Sequence, residues 1–296
     1  MITNRIITFL RNLNYLSKQS LWKQRESDIV YLTNKILDDA RYEYDLTENK
    51  IKIPTILDPN SSLDLILKSR KSFIRTGDGE IKIILGIDQP FQKYEPEVDQ
   101  GLRKILSSDN NNFLVGINRN YYISGLQTKF SPFYRRHAYD YRQVYAKFIN
   151  ENVKYLDSTL TGYPLGEHNS QIYKERYNQW KTAFQNKKLI IVCGKGILDK
   201  LTYNIFELAH STNYIYGPRI NAWDEHEELI SQIKDVATKD HLIVFILGMA
   251  GKVMISELAE QGYTCWDVGH LAKYYDAFMK GIENTQQNIE TFYAPD

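Results

Sequence analysis

Phe73-Ile74-Arg75-Thr76-Gly77-Asp78-Gly79-Glu80-Ile81 decides how this chain is read. A short apolar strand, Ser72-Phe73-Ile74-Arg75, stops at an arginine. Two glycines then flank an aspartate, a glutamate follows, and an apolar run, Ile81-Ile83-Ile84-Leu85, opens a helix. A glycine turn between strand and helix is where α/β folds gather phosphates. Asp78 and Glu80 stand on a backbone with little bulk between them, and carboxylates so placed can hold a hard divalent cation, Mg²⁺ or Mn²⁺. Such a cation would neutralise a diphosphate, and Arg75 would add a fixed positive fork. The local pattern equally suits an ordinary tight turn in which Glu80 favours a helix N-terminus. Both readings stay open at this level.

The rest of the chain supplies the context. In the second half, strand candidates at 188–194, 213–216, 241–248 and 263–268 alternate with helix candidates at 197–209, 222–237 and 251–261. Continuous apolar strands separated by amphipathic helices predict parallel βαβ units with helices on both faces, and ligands at the carboxyl ends of the strands. In the first half, residues 1 to about 45 read as two helices broken near Ser20 or Ser27. Ser62 is placed to cap a helix through Leu63–Leu67, Pro96 to start another, and Phe113–Ile117 to form a buried strand. Arg119–Tyr145 mixes tyrosines with Arg135, Arg136 and Arg142. Its rings are expected mostly to pack on the core, with one or two lining a groove.

Composition excludes some partners. The chain of 296 residues carries 37 basic and 36 acidic side chains, a balance that argues against a nucleic-acid binder driven by phosphate neutralisation. Cys193 and Cys265 lie in apolar strand-like runs, as small buried hydrophobes do, and the expected compartment is reducing and cytoplasmic. No run is long enough for a membrane span, and the start lacks a secretory leader. Ile2, Ile6, Phe9, Leu10, Leu13 and Leu16 follow helical spacing with Arg5, Arg11 and Lys18 between them. Such a helix packs on its own body, on a second subunit as a homodimer element, or peripherally on a membrane.

Four strand ends carry residues with chemistry. Beside the acidic turn is Cys193-Gly194-Lys195-Gly196-Ile197, where Gly194 and Gly196 let backbone approach phosphate or ribose. The third glycine of the dinucleotide fingerprint is absent, and Gly-Lys-Gly is no P-loop. Tyr216-Gly217-Pro218-Arg219-Ile220-Asn221 leaves a strand through a Gly-Pro turn, with Asn221 either a helix cap or a ligand contact. Trp266-Asp267-Val268-Gly269-His270 ends the last strand, where Asp267 and His270 can serve as base, contact or structural pair. There is no Gly-x-Ser-x-Gly elbow, no His-Glu-x-x-His and no zinc spacing.

In order and spacing these ends resemble the GT-D-type glycosyltransferases, once described as a domain of unknown function and found in bacterial adhesin and surface-polysaccharide glycosylation. The matching residues are Arg75, Gly77, Asp78, Gly79 and Glu80; Gly217, Pro218, Asn221 and Ala222; Leu247 and Gly248; and Gly262, Tyr263, Asp267, Gly269 and His270. The resemblance runs from about Leu63 to Lys280. It implies an α/β fold, a single Rossmann-like domain with a mostly parallel sheet at residues 61–282; the N-terminal helical extension at 1–60 lies outside it, and 283–296 reads as a tail. It implies a hexosyltransferase that moves a hexose, typically glucose, from a UDP-sugar donor to a glycan acceptor on a glycoprotein or lipid carrier. Asp78 and Glu80 would hold Mn²⁺ or Mg²⁺, and Asp267 or His270 would activate the acceptor or contact the donor. Arg75, Gly77, Gly194, Gly196, Pro218, Asn221 and Gly248 would line the substrate site. The chain departs from the family at Met249-Ala250-Gly251-Lys252, where a small polar run is expected, and at Ser158–Tyr163, which lacks an arginine. A non-catalytic nucleotide-sugar-binding partner and a metal-dependent phosphohydrolase are the alternatives.

Overall fold

The computed structural model describes residues 19–48, 50–109, 111–125, 131–162 and 171–282. The apolar positions at 2–16 and the tail at 283–296 lie outside them. Eight strands form one sheet: β1 (Thr55–Ile56), β2 (Ser72–Arg75), β3 (Phe113–Ile117), β4 (Lys154–Asp157), β5 (Lys188–Gly194), β6 (Ser211–Gly217), β7 (His241–Ile246) and β8 (Thr264–Asp267). Their order is β1-β4-β3-β2-β8-β7-β5-β6, and each pairing is parallel. The helices are α1 (Gln19–Thr47), α2 (Pro59–Ser69), α3 (Asp78–Ile84), α4 (Pro96–Leu106), α5 (Ser131–Tyr145), α6 (Gln171–Phe184), α7 (His226–Val236), α8 (Gly248–Glu260) and α9 (Leu271–Met279). The α/β reading with a parallel sheet therefore holds.

Strand alternation splits the core in two. Ile190, Val192, Ile74, Val115 and Phe245 face α3, α4, α5, α7 and α8. Their neighbours Leu189, Ile191, Cys193, Phe73 and Val244 face α2, α6 and α9. Successive strand residues point to opposite faces, so a sheet covered on both sides needs these unbroken apolar runs. Residues up to 157 supply β1–β4 and residues from 188 onward β5–β8. They meet where Phe73 of β2 registers with Trp266 of β8. The helix after β2 packs on one face and the helix after β8 on the other, so the seam is the switch point where such sheets bind ligands.

Several expectations are corrected. Residues 197–209 form successive turns rather than a helix. The buried carboxylate of Asp276 accepts the N–H groups of Thr202 and Tyr203, each at 2.9 Å, which a helix would keep for itself. The N-terminal region does not break near Ser27, which lies inside α1; a break near Ser20 falls at the start of α1, beside residues outside the described ones. Asp58, not Ser62, caps α2: its carboxylate accepts from Asn60 and Ser61, with Pro59 at the first position. Ser62 is buried and instead accepts the N–H of Asp157 at 2.8 Å. Strand β4 and helices α6 and α9 were not anticipated.

The C-terminal part of α1 docks on α5. The fully buried Arg142 guanidinium pairs with Asp45 and donates to the carbonyls of Tyr121 (2.5 Å) and Tyr42 (2.6 Å). Tyr121 meets Tyr134 and Tyr141 edge-on, so the tyrosine-rich stretch is largely core. Farther up α1, Ile29, Leu32 and Ile36 are exposed. Among the described residues no helix is long and apolar enough to cross a membrane. Both cysteines are buried and free, as expected of small hydrophobes.

Candidate active site

Parallel strands bring the four sequence-marked ends to one edge. β2 ends at Arg75, Gly77 is extended, and α3 begins at Asp78. Glu80 reaches back so that its Oε2 accepts the Gly77 N–H at 2.7 Å. This ties down an orphan donor of the first helical turn. Thr76 donates to the Gly116 carbonyl at 2.7 Å and meets the Tyr145 hydroxyl at 3.2 Å, which fixes the turn from the β3 side.

Four charged side chains interlock behind that turn. Asp267, at the end of β8, accepts the Arg75 backbone N–H on Oδ2 (3.0 Å) and the Arg75 Nη2 on Oδ1 (3.1 Å). Arg75 Nε donates to the Asp267 carbonyl (3.0 Å), and Nη1 donates to the Thr161 hydroxyl (2.6 Å). Lys252, buried on α8, sets its Nζ 3.1 Å from Glu80 Oε1 and 3.4 Å from Asp267 Oδ2. Two cations thus face two carboxylates, all largely removed from solvent. Burial alone would raise the Asp267 carboxyl, but Arg75 and Lys252 outweigh it and hold it below the usual range. Burial likewise disfavours the Lys252 ammonium, and Asp267 and Glu80 reverse this, holding it above its ordinary value. Arg75, offered as a phosphate contact or a brace for the turn, makes the bracing contacts in this structure. Asp267, read from the sequence together with His270 as an acceptor-activating base or a donor contact, here pairs with both cations and holds Arg75 in place.

Gly269 belongs to the same arrangement. Its φ is +49°, and a Cβ there would overlap the Arg75 guanidinium. The glycine is the opening through which the arginine reaches Asp267. His270 follows, its ring 6.3 Å from that of Phe91 and 6.0 Å from that of Tyr274. Burial, with Lys273, Arg75 and Lys252 nearby, pushes its pKa down to about 3, so the imidazole is neutral. Gly248, with φ of +59°, starts α8 beneath Phe91.

Asn221 takes up a left-handed conformation and caps no helix through its side chain. Its N–H donates to the Phe91 carbonyl (2.9 Å) and its Oδ1 accepts the Lys93 N–H (2.9 Å). Gln92 accepts the Trp223 N–H at 3.3 Å. These bonds staple the 87–94 loop across the edge and deliver Phe91 to His270. Gly194 registers with Gly217 across β5 and β6. Ile197 and Arg219 fill the space that a side chain at Gly194 would need, Arg219 alone that at Gly196, and Arg219 donates to the Lys195 carbonyl at 2.6 Å. Pro218 leads into this segment.

A hard divalent cation fits one carboxylate of the acidic turn better than the other. Asp78 is half exposed, with Lys82 Nζ at 3.5 Å. Glu80 has one oxygen on the Gly77 N–H and the other on Lys252. Positions two apart on a helix diverge by about 200°, so Asp78 and Glu80 do not share a face. Among the described residues no three metal-capable side chains cluster. Asp78 suits the one-carboxylate mode in which the remaining ligands are phosphate and water.

Lys252, Thr161 and Phe91 received no role from the sequence. Lys252 carried a usable signal: a lone lysine within Met249–Leu258, otherwise largely apolar and buried, needs carboxylate partners. Thr161 lies in the segment where an arginine was missed, and it supplies an oxygen to Arg75. Phe91 carried none, because its place depends on Asn221.

The family model for the glycosyltransferase GT-D fold matches residues 73–294. The chain is 26% identical over 259 residues to the probable glycosyl transferase Gly of Streptococcus gordonii, covering 84% of this chain and 37% of that protein. It is 27% identical over 288 residues to glycosyltransferase GlyD of Streptococcus pneumoniae serotype 4 (strain ATCC BAA-334 / TIGR4), covering 95% and 34%. It therefore spans about a third of the length of these curated relatives. The fold is similar to a solved structure described as a highly conserved domain of unknown function 1792 with a distinct glycosyltransferase fold. That match has a TM-score of 0.72 at 23% identity, covering 86% of this chain and 88% of that one. A structure described as a new glycosyltransferase from Streptococcus sanguinis matches with a TM-score of 0.70 at 25% identity, covering 77% and 86%.

Proposed function

We propose that this chain, which belongs to the glycosyltransferase GT-D-fold family, moves a hexose, glucose by preference, from a UDP-sugar to a glycan acceptor on a glycoprotein or lipid carrier. The observation that carries this is that the acidic turn and the braced Arg75–Asp267 pair, at the seam between β2 and β8, share one carboxyl edge with the glycine turns after β5 and β6. Asp78 is the carboxylate that holds Mn²⁺ or Mg²⁺ there. When bound, the cation neutralises the diphosphate that departs with the nucleotide. Gly194 and Gly196 form the nucleotide-facing turn, and Arg219 beside them brings positive charge to the diphosphate. Arg75 and Asp267 keep the turn rigid, so the donor meets a preorganised surface rather than one it must order. His270, neutral and beside Phe91, is a donor contact; an imidazole with a pKa of about 3 is a weak base for a sugar hydroxyl. On the same reading, exposed Ile29, Leu32 and Ile36 of α1 are where a membrane surface or second copy would seat.

The test is a melting-temperature panel of UDP-sugars with and without Mn²⁺, since a ligand that binds only the folded state raises its midpoint. Product analysis with glycan acceptors follows, in the parent and in Asp78→Asn. A selective UDP-hexose shift and hexose transfer, both lost in Asp78→Asn, are expected. Nucleotide release with no transfer to any acceptor points to a phosphohydrolase. Tight UDP binding with no turnover points to a non-catalytic partner.

A further inference from the structure

We propose that the Lys252 ammonium is the resident cation of the Glu80–Asp267 carboxylate pair, closing Glu80 to divalent metal. This deepens the proposed function and rests on its reading of the acidic turn as the metal corner. Asp78 is then the carboxylate of that turn left to bind metal.

The geometry is specific. Lys252 Nζ lies between a carboxylate from α3 and one from the end of β8, at 3.1 and 3.4 Å. The other oxygens of both are occupied: Glu80 Oε2 by the Gly77 N–H, and Asp267 Oδ1 by the Arg75 guanidinium. Asp267 Oδ2 also takes the Arg75 N–H. The group of four closes electrically, with two positive and two negative side chains. A dication on Glu80 would place a further charge of two against a buried ammonium, in a setting where unbalanced charge is costly. It would also displace the bond that caps the first turn of α3. Asp78 carries no such obligation: it is half exposed on a diverging face, and its lysine neighbour is itself partly exposed. Lys252 is thus a positioning residue. It orders both carboxylates through its own charge, in the place a metal would otherwise take.

The experiment measures Mn²⁺ affinity in the presence of UDP, and the Mn²⁺-induced melting shift without nucleotide. The proteins are the parent, Glu80→Gln, Asp78→Asn, Lys252→Met and Lys252→Met/Glu80→Gln. Mn²⁺ affinity with UDP stays within about twofold of the parent in Glu80→Gln and falls about tenfold or more in Asp78→Asn, the scale on which losses around a metal are felt. Lys252→Met gains a saturable Mn²⁺ stabilisation that the parent lacks and that the double variant loses. A Glu80→Gln protein with Mn²⁺ affinity lowered tenfold overturns the proposal. So does a folded Lys252→Met protein that gains nothing from Mn²⁺. If Lys252→Met does not fold, the Glu80→Gln comparison decides alone. Should the parent ignore Mn²⁺ with UDP while Lys252→Met responds, the metal reading of the proposed function fails and the resident-cation proposal stands.

Discussion

Gly269→Ala tests the brace behind the acidic turn. Gly269 has φ of +49°, where a side chain costs about 1–2 kcal/mol. Its Cβ would overlap Arg75 Nη2 and lie 3.0 Å from Cζ. The guanidinium must therefore retreat from Asp267, and separating a buried pair costs about 3–5 kcal/mol. Lys252 still faces Asp267, so the lower part of that range applies. The sum is about 4–5 kcal/mol, which for a domain of this size lowers the melting temperature by about 8–20 °C. Gly86→Ala is the internal control. Its φ of +78° imposes the same backbone cost, but a Cβ there meets nothing within 4 Å. Only about 1–2 kcal/mol should be lost, a shift of a few degrees. Thermal unfolding followed by circular dichroism reads both. Equal shifts in the two variants would refute the reasoning, because the Arg75–Asp267 contact would then yield at no cost.

Three further outcomes follow from particular contacts. His270 titrates at about 3 when folded and near 6.5 when unfolded. The unfolded chain therefore takes up a proton that the folded one refuses, and stability falls as pH drops through 6.5. At pH 5 this group removes about 2 kcal/mol relative to pH 8, seen in urea unfolding as a loss that His270→Gln lacks; equal losses in both proteins contradict it. Asn221→Ala and Asn221→Gly both lose the acceptor for the Lys93 N–H and should speed proteolysis within residues 87–94. The alanine variant should also lose about 1 kcal/mol more stability than the glycine one, from the left-handed backbone, and cleavage at the parent rate would dismiss the staple. Asp45→Ala leaves the Arg142 guanidinium buried without its carboxylate, and should cost about 3–5 kcal/mol while raising amide exchange in the last turns of α1; unchanged exchange there would remove the docking role.

Much of the scaffold was legible because it is written in local pattern. The runs at 189–193 and 242–246 are apolar throughout, and a strand covered on both faces leaves no other composition. The crossover at 197–209 misled because its apolar spacing suits a helix, while what prevents one is Asp276, far along the chain. The acidic turn could be located but its roles could not be divided. Asp78 and Glu80 look alike in sequence; what separates them is that Glu80 turns to the Gly77 N–H and to Lys252, brought close by the packing of α8 across β2 and β8, while Asp78 stays half exposed. The same holds for Arg75: nothing beside it announces Thr161 or Asp267, which reach it because β8 flanks β2 on one side and β3, with β4 beyond it, on the other.

The most direct test of the central claim is hydrogen exchange with and without UDP-glucose and Mn²⁺. A nucleotide-sugar at the carboxyl edge should protect amides in residues 76–80, 194–197, 217–221 and 247–252 together, and leave the opposite edge of the sheet unchanged. Protection confined to that opposite edge or to α1, or none at saturating donor, would contradict the placement of the site.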